Sequence, residues 1–460
     1  MTKRSRAIRV GAALAVLSLV GAACGGDDSA TEETVTEETV TEETTAEETS
    51  TCGSATSDVV DGDLAGFSGS TPFGKGGADA AFIERLCSID PTLTDLSYAA
   101  ETYDAVTIIA LAAELAQSDG IEYASEINGI TRDGEKCTDF ATCVEIIKAG
   151  GDPDYDGISG PLTFAGNGEP LEASYGFLTM GDNNRLDPLA TTFIDVKGPE
   201  ELDVPQVPVE GSRVGDGVLK LGTILPQTGS LAFLGPPEFA GFDLALADIN
   251  AAGGVLGQPV EGIKGDSGDT STDTASKTVD RLLAEDVDAI VGAASSGVTL
   301  TVIDKVTSAG VVLFSPANTS PALSDYADKG LYFRTAPPDI YQGDVLGQKV
   351  LQDGNQTVAI LALNDAYGTG LSDAAEATIT AGGGEVVVKK IYDPTAASFD
   401  TEVDEVVAAD PDAIIIIGFD ESAKILRSMV EKGIGPKVKK VYGCDGNIGN
   451  SLGALFDSLG

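Results

Sequence analysis

The chain has 460 residues, enough for two or three domains, and its 28 basic against 73 acidic side chains give a formal net charge of −45 at pH 7. This charge repels nucleic acid and anionic lipid headgroups, so neither is an expected partner. The sequence has no histidine, which excludes Ser-His-Asp and Cys-His nucleophiles and His-ligated zinc. Because no paired-carboxylate, Ser-Lys, phosphate-loop or metal-ligand motif stands out either, we do not expect an enzyme, a cofactor or a metal site.

An export signal is predicted at residues 1–23. Basic side chains precede an apolar run over residues 10–20 that is too short to span a bilayer comfortably. Small residues lead up to Cys24, and Gly25 and Gly26 follow it. This stretch resembles a bacterial lipoprotein signal, in which Cys24 would carry the lipid anchor. The alternative is ordinary secretion with a free Cys24.

An acidic tether is predicted at residues 24–53. Repeats of the type TEETV fill most of it and contain almost no large apolar side chains. Such a segment cannot bury enough surface to order itself, and its charges repel one another. We therefore expect it to hold the folded part clear of the membrane.

The five remaining cysteines lie in a chain predicted to be exported, where disulfides are chemically permitted. Cys137 and Cys143 enclose a short loop and are the most plausible pair. The sequence leaves open how Cys52, Cys87 and Cys444 are paired.

Residues 54–200 carry long helical patterns, for example over residues 98–116, but only scattered strand candidates. These candidates are residues 64–67, 162–164, 175–180 and 193–196. Four scattered strands do not build a sheet of their own, so we expect them to complete sheets begun elsewhere in the chain. Residues 201–215, which contain Pro and Gly, are predicted to be a linker.

Residues 216–460 alternate short β-branched runs with amphipathic stretches, a pattern that predicts βαβ units around parallel sheets and an α/β fold class. The predicted strands are residues 219–225, 287–291, 311–314, 331–333, 358–363, 385–388, 413–417 and 440–442. A helix is predicted over residues 238–252, because Phe239, Phe242, Leu246 and Ile249 fall on one face.

Five segments of this second half carry a family likeness. They are residues 228–257, then the strings VGAASS (residues 291–296), SPANT (315–319), YFR (332–334) and NDAYG (364–368). In content and order they resemble the branched-chain amino-acid (Leu/Ile/Val type) periplasmic solute-binding proteins of ABC importers. The resemblance implies a type I periplasmic-binding fold, in which two Rossmann-like lobes with parallel sheets are joined by a multi-strand hinge.

The two halves of the chain stand in the opposite order from that family. The strings SYAAETYDA (residues 97–105) and YDGISGPLTF (155–164) resemble the end of the family's chain but stand here near the beginning. The chain thus resembles a circular permutation, with residues 216–460 as the N-terminal part of the fold and residues 54–200 as the C-terminal part. The alternative is a truncated fragment of a tandem duplication. A permuted order would place Cys52 in the lobe that contains Tyr367.

The resemblance also implies ligand-binding residues in the first lobe. Ser296 and Thr319 match the positions that bind a ligand carboxylate, and the backbone of Ala317 matches the position that receives the ammonium. Leu234 stands where the family often has Tyr, so specificity for Leu, Ile or Val does not carry over. On capping preference alone, Ser296 and Thr319 could instead cap the helices that follow them.

The second lobe supplies three matching positions. Tyr367 and Phe419 match aromatic contacts of the family, and Asp445 matches the acidic residue that faces the ligand ammonium. Taken singly, such aromatic residues are more often packing residues than ligand contacts. Asp445 followed by Gly446 is also an ordinary turn signal.

The expected partners follow from the same resemblance. The ligand would be an amino acid or a similar small molecule, delivered to an ABC permease and ATPase by a protein anchored outside the cytoplasm through its lipid. The alternative is a ligand-sensing receptor module of the same fold that lacks a transport partner.

Overall fold

The computed structural model describes residues 52–198 and 202–459. The predicted signal at residues 1–23, Cys24 and the tether up to residue 51 lie outside the described residues. Within the described part of the chain, no helix combines the length and the apolar character needed to cross a membrane.

Helices and strands alternate along both halves of the chain. Up to residue 198 they are β1 (Ser68–Pro72), α1 (Ala80–Ile89), α2 (Ala99–Ala116), β2 (Glu135–Cys137), α3 (Phe140–Lys148), β3 (Pro153–Tyr155), β4 (Glu172–Thr179) and β5 (Thr192–Lys197). From residue 202 they are β6 (Lys220–Ile224), α4 (Gly235–Ala251), β7 (Glu261–Ile263), α5 (Thr274–Ala284), β8 (Ala289–Gly292), α6 (Ser296–Ser308), β9 (Val312–Ser315), β10 (Tyr332–Arg334), α7 (Asp339–Gln352), β11 (Thr357–Leu363), α8 (Ala366–Ala381), β12 (Glu385–Tyr392), α9 (Asp400–Ala409), β13 (Ala413–Ile417), α10 (Ser422–Glu431), β14 (Lys440–Cys444) and α11 (Asn450–Ser458).

Two large sheets define two lobes. The five-stranded lobe is built on the order β10-β9-β8-β6-β7, with every neighbouring pair parallel. The seven-stranded lobe has the order β12-β11-β13-β14-β1-β4-β5, in which only the last two pairings are antiparallel. The central strands are apolar because helices cover both of their faces; all five residues of β13 are buried. The α/β fold class with parallel sheets is confirmed.

The first half of the chain completes the seven-stranded sheet. Strand β1 pairs in parallel with β14, and β4 pairs antiparallel with β1. The predicted strands at residues 64–67 and 162–164 are wrong. Leu64, Phe67 and Phe164 are fully buried, so their apolar character reflects core packing, and Phe164 forms only an isolated bridge with Pro170.

The first half also builds part of the five-stranded lobe. Helix α2 is buried on all sides from Ala99 to Glu114 and packs against α4. The two helices approach so closely that a Cβ on Gly241 of α4 would lie 2.2 Å from the carbonyl oxygen of Ala99. Chain segments 73–79, 165–171 and 335–338 connect elements of one lobe with elements of the other.

Two disulfides lie in the first half. Cys137 is bonded to Cys143, and Cys52 is bonded to Cys87 of α1 with 5.8 Å between the two Cα atoms. The thiol of Cys444 is free and buried. The expectation that Cys52 lies in the lobe of Tyr367 is wrong, because its bond to α1 holds it against the core of the five-stranded lobe.

We expect the two disulfides to differ in their effect on stability. They close loops with sequence separations of 35 and 6 residues, and loop-closure entropy gives about 4 kcal/mol for the longer loop and about 2 kcal/mol for the shorter one. Urea denaturation of the Cys52→Ser/Cys87→Ser and Cys137→Ser/Cys143→Ser double variants should show this order. Equal losses in the two variants would contradict it.

Candidate functional site

The candidate site lies where five parallel strands end. Six of the seven sequence-predicted residues follow β8, β9, β11, β13 and β14, and Leu234 lies in the turn before α4. The carboxyl ends of parallel strands are where open α/β sheets present ligand groups. Two of these strands belong to the five-stranded lobe and three to the seven-stranded lobe. The loops therefore meet between the lobes.

One narrow cavity brings all seven predicted ligand-binding residues together. Its lining contains Leu234, Ser296, Ala317, Thr319, Tyr367, Phe419 and Asp445. The space between these residues is small: about 10 Å³ is open to the centre of a water-sized sphere, whereas cavities that hold drug-sized ligands measure roughly 300–1,000 Å³. The lining residues of the two lobes therefore lie close together.

Asp445 is the acidic group of this cavity. The side chain is buried, and its Oδ1 accepts hydrogen bonds from Gln342 Nε2 and from the hydroxyl of Tyr367, both at 2.8 Å. Its Oδ2 accepts from the hydroxyl of Tyr98 at 2.8 Å. Burial raises the pKa of Asp445 and these three donors oppose the rise. The carboxylate is thus held in one orientation by groups that bring no positive charge.

An aromatic pair forms one wall of the cavity. The rings of Tyr367 and Phe419 stack with centroids 5.6 Å apart and planes inclined by 10°. Gly446 leaves room for this stack, because a Cβ there would lie 2.9 Å from Cδ1 of Phe419 and 2.6 Å from the carbonyl oxygen of Gly418. Both rings are therefore held in place on the cavity wall, where they can contact a ligand.

Ser296 and Thr319 do not cap helices. The N-cap of α6 is Ser295, whose side chain accepts from the N–H of Val298, and Ser320 caps the short 3-10 turn at Pro321–Leu323. The capping alternative for Ser296 and Thr319 is therefore wrong.

The Ser296 hydroxyl instead joins the two loops of the five-stranded lobe. Its oxygen accepts from the backbone N–H groups of Thr319 at 3.3 Å and Ser320 at 3.2 Å. Its own proton can still be donated to an anion in the cavity. The N–H of Ala317 donates to Ser315 Oγ at 3.2 Å, so the carbonyl is the group of Ala317 that an ammonium could approach.

Sequence reasoning missed several lining residues. Tyr98 lies immediately before α2 and has a left-handed backbone (φ 65°). It reaches the cavity because the first half of the chain packs against the second half, which carries the other predicted residues. Leu231 also lines the cavity, from the turn before α4, and Ala294 and Ser295 line it from the loop after β8. The string SYAAETYDA, which contains Tyr98, resembles the family but predicts no role for that residue.

A buried arginine organises the loop that carries Thr319. The guanidinium of Arg334 donates to the carbonyl oxygens of Asn318 at 3.3 Å and Ser320 at 2.9 Å. It also pairs with the carboxylate of Glu169, through Nε at 3.2 Å and through Nη2. Glu169 comes from the first half of the chain, so this contact ties that half to the site.

The sequence family known as periplasmic binding protein matches residues 218–455, just over half of the chain. The chain belongs to the periplasmic binding protein family. Membership implies a location outside the cytoplasm. The relatives are named as binding proteins, which agrees with the prediction that this chain is not an enzyme.

Relatives of this periplasmic binding protein include a Leu/Ile/Val-binding protein, BraC3 of Rhizobium johnstonii, which is 29% identical over 45% of this chain and 56% of its own. BasB of Halobacterium salinarum, a chemotactic signal transduction system substrate-binding protein, is 29% identical over 43% of this chain and 49% of its own. The substrate-binding protein LivJ of Streptococcus pneumoniae, solved with isoleucine, is 28% identical over 52% of this chain and 67% of its own, with a TM-score of 0.47. The chain spans about half the length of the curated relatives it matches.

Proposed function

We propose that this periplasmic binding protein captures an amino acid between its two lobes and delivers it to an ABC permease and its ATPase. The observation that carries the proposal is the pairing of opposite chemistries in one cavity. Asp445 lies on the side of the seven-stranded lobe, and the Ser296 hydroxyl lies on the side of the five-stranded lobe. A free amino acid carries a cation and an anion that match these two groups.

Each end of the ligand finds suitable partners. Ser296 and Thr319, beside the N-terminus of α6, would bind the carboxylate, because hydroxyl donors and a helix N-terminus both favour an anion. Asp445 and the carbonyl of Ala317 would bind the ammonium. Since these groups belong to different lobes, a bound ligand stabilises the closed arrangement by bridging the lobes, and hinge closure would complete the site.

The proposal includes an anchor and a permuted order. Cys24 would carry the lipid and residues 24–53 would form the tether. Residues 54–200 and 216–460 would form one two-lobe unit, with residues 201–215 as the linker that joins the old termini. Support for the permuted order comes from the family match, which begins at residue 218, and from β1, which extends the sheet of the second half beside β14.

A sensing role is the second candidate. BasB is named as part of a chemotactic signal transduction system, so the same fold serves reception as well as import. Pull-down with the ligand-loaded protein discriminates the two roles. Capture of a permease with its ATPase supports import, and capture of a membrane receptor supports sensing.

Two buried serines provide the test of binding. Isothermal titration of the purified protein with a panel of L-amino acids should give saturable micromolar or tighter binding by at least one of them. Ser296→Ala should weaken that binding about tenfold or more, because it removes a hydroxyl donor to the carboxylate. Ser372→Ala removes a buried hydroxyl of α8 that donates to the carbonyl oxygen of Thr369 and does not line the cavity; it should cost about 1 kcal/mol of stability and leave the affinity unchanged.

The outcomes are distinct. Ser296→Ala also removes an acceptor from two backbone N–H groups, so its thermal stability is measured alongside and a comparable loss in both variants is expected. If a folded wild-type protein binds no member of the panel, the amino-acid assignment is wrong.

A further inference from the structure

A second cavity adjoins the one at Asp445. Its volume is about 190 Å³, and it shares Phe419 and Gly446 with the first cavity. Its walls come from both lobes: Ser230, Ala232 and Phe233 precede α4, whereas Leu452 and Leu455 belong to α11. A molecule that occupied both cavities would touch both lobes along its whole length.

Two of the four polar side chains that line the second cavity, Asn447 and Ser451, are engaged within the protein. Asn447 donates to the carbonyl oxygen of Ile416 and to Ser422 Oγ, and accepts from the N–H of Cys444. The hydroxyl of Ser451 donates to Asp95. Ser230 and Asp420 complete the polar lining. Apolar carbon and two aromatic rings, Phe233 and Phe419, line the cavity between these groups and can contact an apolar side chain.

Leu234 borders the first cavity near the second. It stands at the position where the resemblance leads us to expect a tyrosine, and it is fully apolar and buried. Leu231, from the same turn, lies beside it on the cavity wall. The ligand core is therefore flanked by aliphatic carbon on this side, which suits an apolar ligand side chain.

We propose that the ligand is an α-amino acid with an aromatic side chain, which runs past Phe419 from the first cavity into the second. This rests on the proposed function, since the amino and carboxyl groups occupy the Asp445 cavity. Aromatic rings prefer offset or edge-to-face contacts with centroids about 4.5–7 Å apart. Phe419 and Phe233 offer such contacts from opposite lobes, so an aromatic side chain favours closure where a methyl group does not.

Titration of the full-length protein with L-phenylalanine and L-alanine tests the proposal. L-Phenylalanine should bind the wild type at least tenfold more tightly than L-alanine. Leu455→Trp and, from the opposite wall, Ser230→Phe should each weaken L-phenylalanine binding about tenfold by filling the second cavity, and leave L-alanine binding within twofold. Leu459→Trp is the matched control, because Leu459, at the end of α11, is about as exposed as Leu455 and does not line the cavity.

The result separates this inference from the proposed function. Equal affinity of the wild type for the two amino acids overturns the aromatic assignment and leaves amino-acid binding intact. The same holds if the two filling variants weaken both ligands alike. No binding of either amino acid by the folded wild type overturns both proposals.

Discussion

Asp445→Asn should weaken amino-acid binding by about 100-fold. The asparagine keeps the shape of the side chain and an oxygen that can accept from Gln342 and Tyr367, but it removes the negative charge opposite the ligand ammonium. Truncating one partner of a buried, hydrogen-bonded charge pair costs about 2–5 kcal/mol, and the middle of that range corresponds to more than 100-fold. Titration of wild type and variant with the same amino acid measures the effect.

The pH profile distinguishes the charge of Asp445 from its shape. Burial raises the pKa of this carboxyl, so its ionised form is lost at a higher pH than that of an exposed aspartate. Affinity of the wild type should therefore fall as the pH is lowered through that pKa, because the protonated form no longer attracts an ammonium. Asp445→Asn should show no such fall.

A buried aspartate outside the cavity gives the matched control. Asp328 is buried and accepts from the backbone N–H of Gly330 in the turn before β10, and it lines neither of the two adjoining cavities. Asp328→Asn should lower stability and leave affinity unchanged. If Asp328→Asn weakens binding as much as Asp445→Asn, the effect is one of folding and the role assigned to Asp445 is wrong.

Much of the fold could be predicted because its strands are buried on both faces. Runs such as residues 413–417 and 358–363 are continuous apolar segments, and the structure has strands there within one residue. Strands β2, β3 and β7 were missed. Each has three residues, and β2 and β7 are largely exposed, so they have too few apolar positions to produce a pattern.

The site could be predicted in part because loops after parallel strands converge wherever the strands are correctly placed. The carboxyl ends of β8, β9, β11, β13 and β14 followed from the sequence, and their residues meet. Tyr98 could not be found in this way, because it reaches Asp445 across 347 positions of the chain. Its left-handed backbone carries no Gly or Asn signal either. The pairing of Cys52 with Cys87 likewise depends on how α1 packs.

Glu169→Gln should destabilise the fold by about 3–5 kcal/mol. The guanidinium of Arg334 is fully buried, and Glu169, itself 7% exposed, is its carboxylate partner. A neutral amide leaves that charge uncompensated in a low-dielectric interior, which is the costly way to break a buried ion pair. Urea denaturation measures the loss. Asp273→Asn is the control: the Asp273–Lys277 pair is about 70% exposed on both sides and should be worth at most about 1 kcal/mol.

Glu169→Gln should also lower the affinity for the ligand. The guanidinium of Arg334 donates to the carbonyl oxygens of Asn318 and Ser320 on either side of Thr319. If the guanidinium moves because the Glu169 carboxylate is lost, it would displace the loop that binds the ligand carboxylate. Glu169→Gln should therefore weaken binding severalfold as well as lower stability. Lower stability with unchanged affinity would mean that Ser296 and Ser315 alone fix this loop, and that Glu169 joins the two halves of the chain without positioning the site.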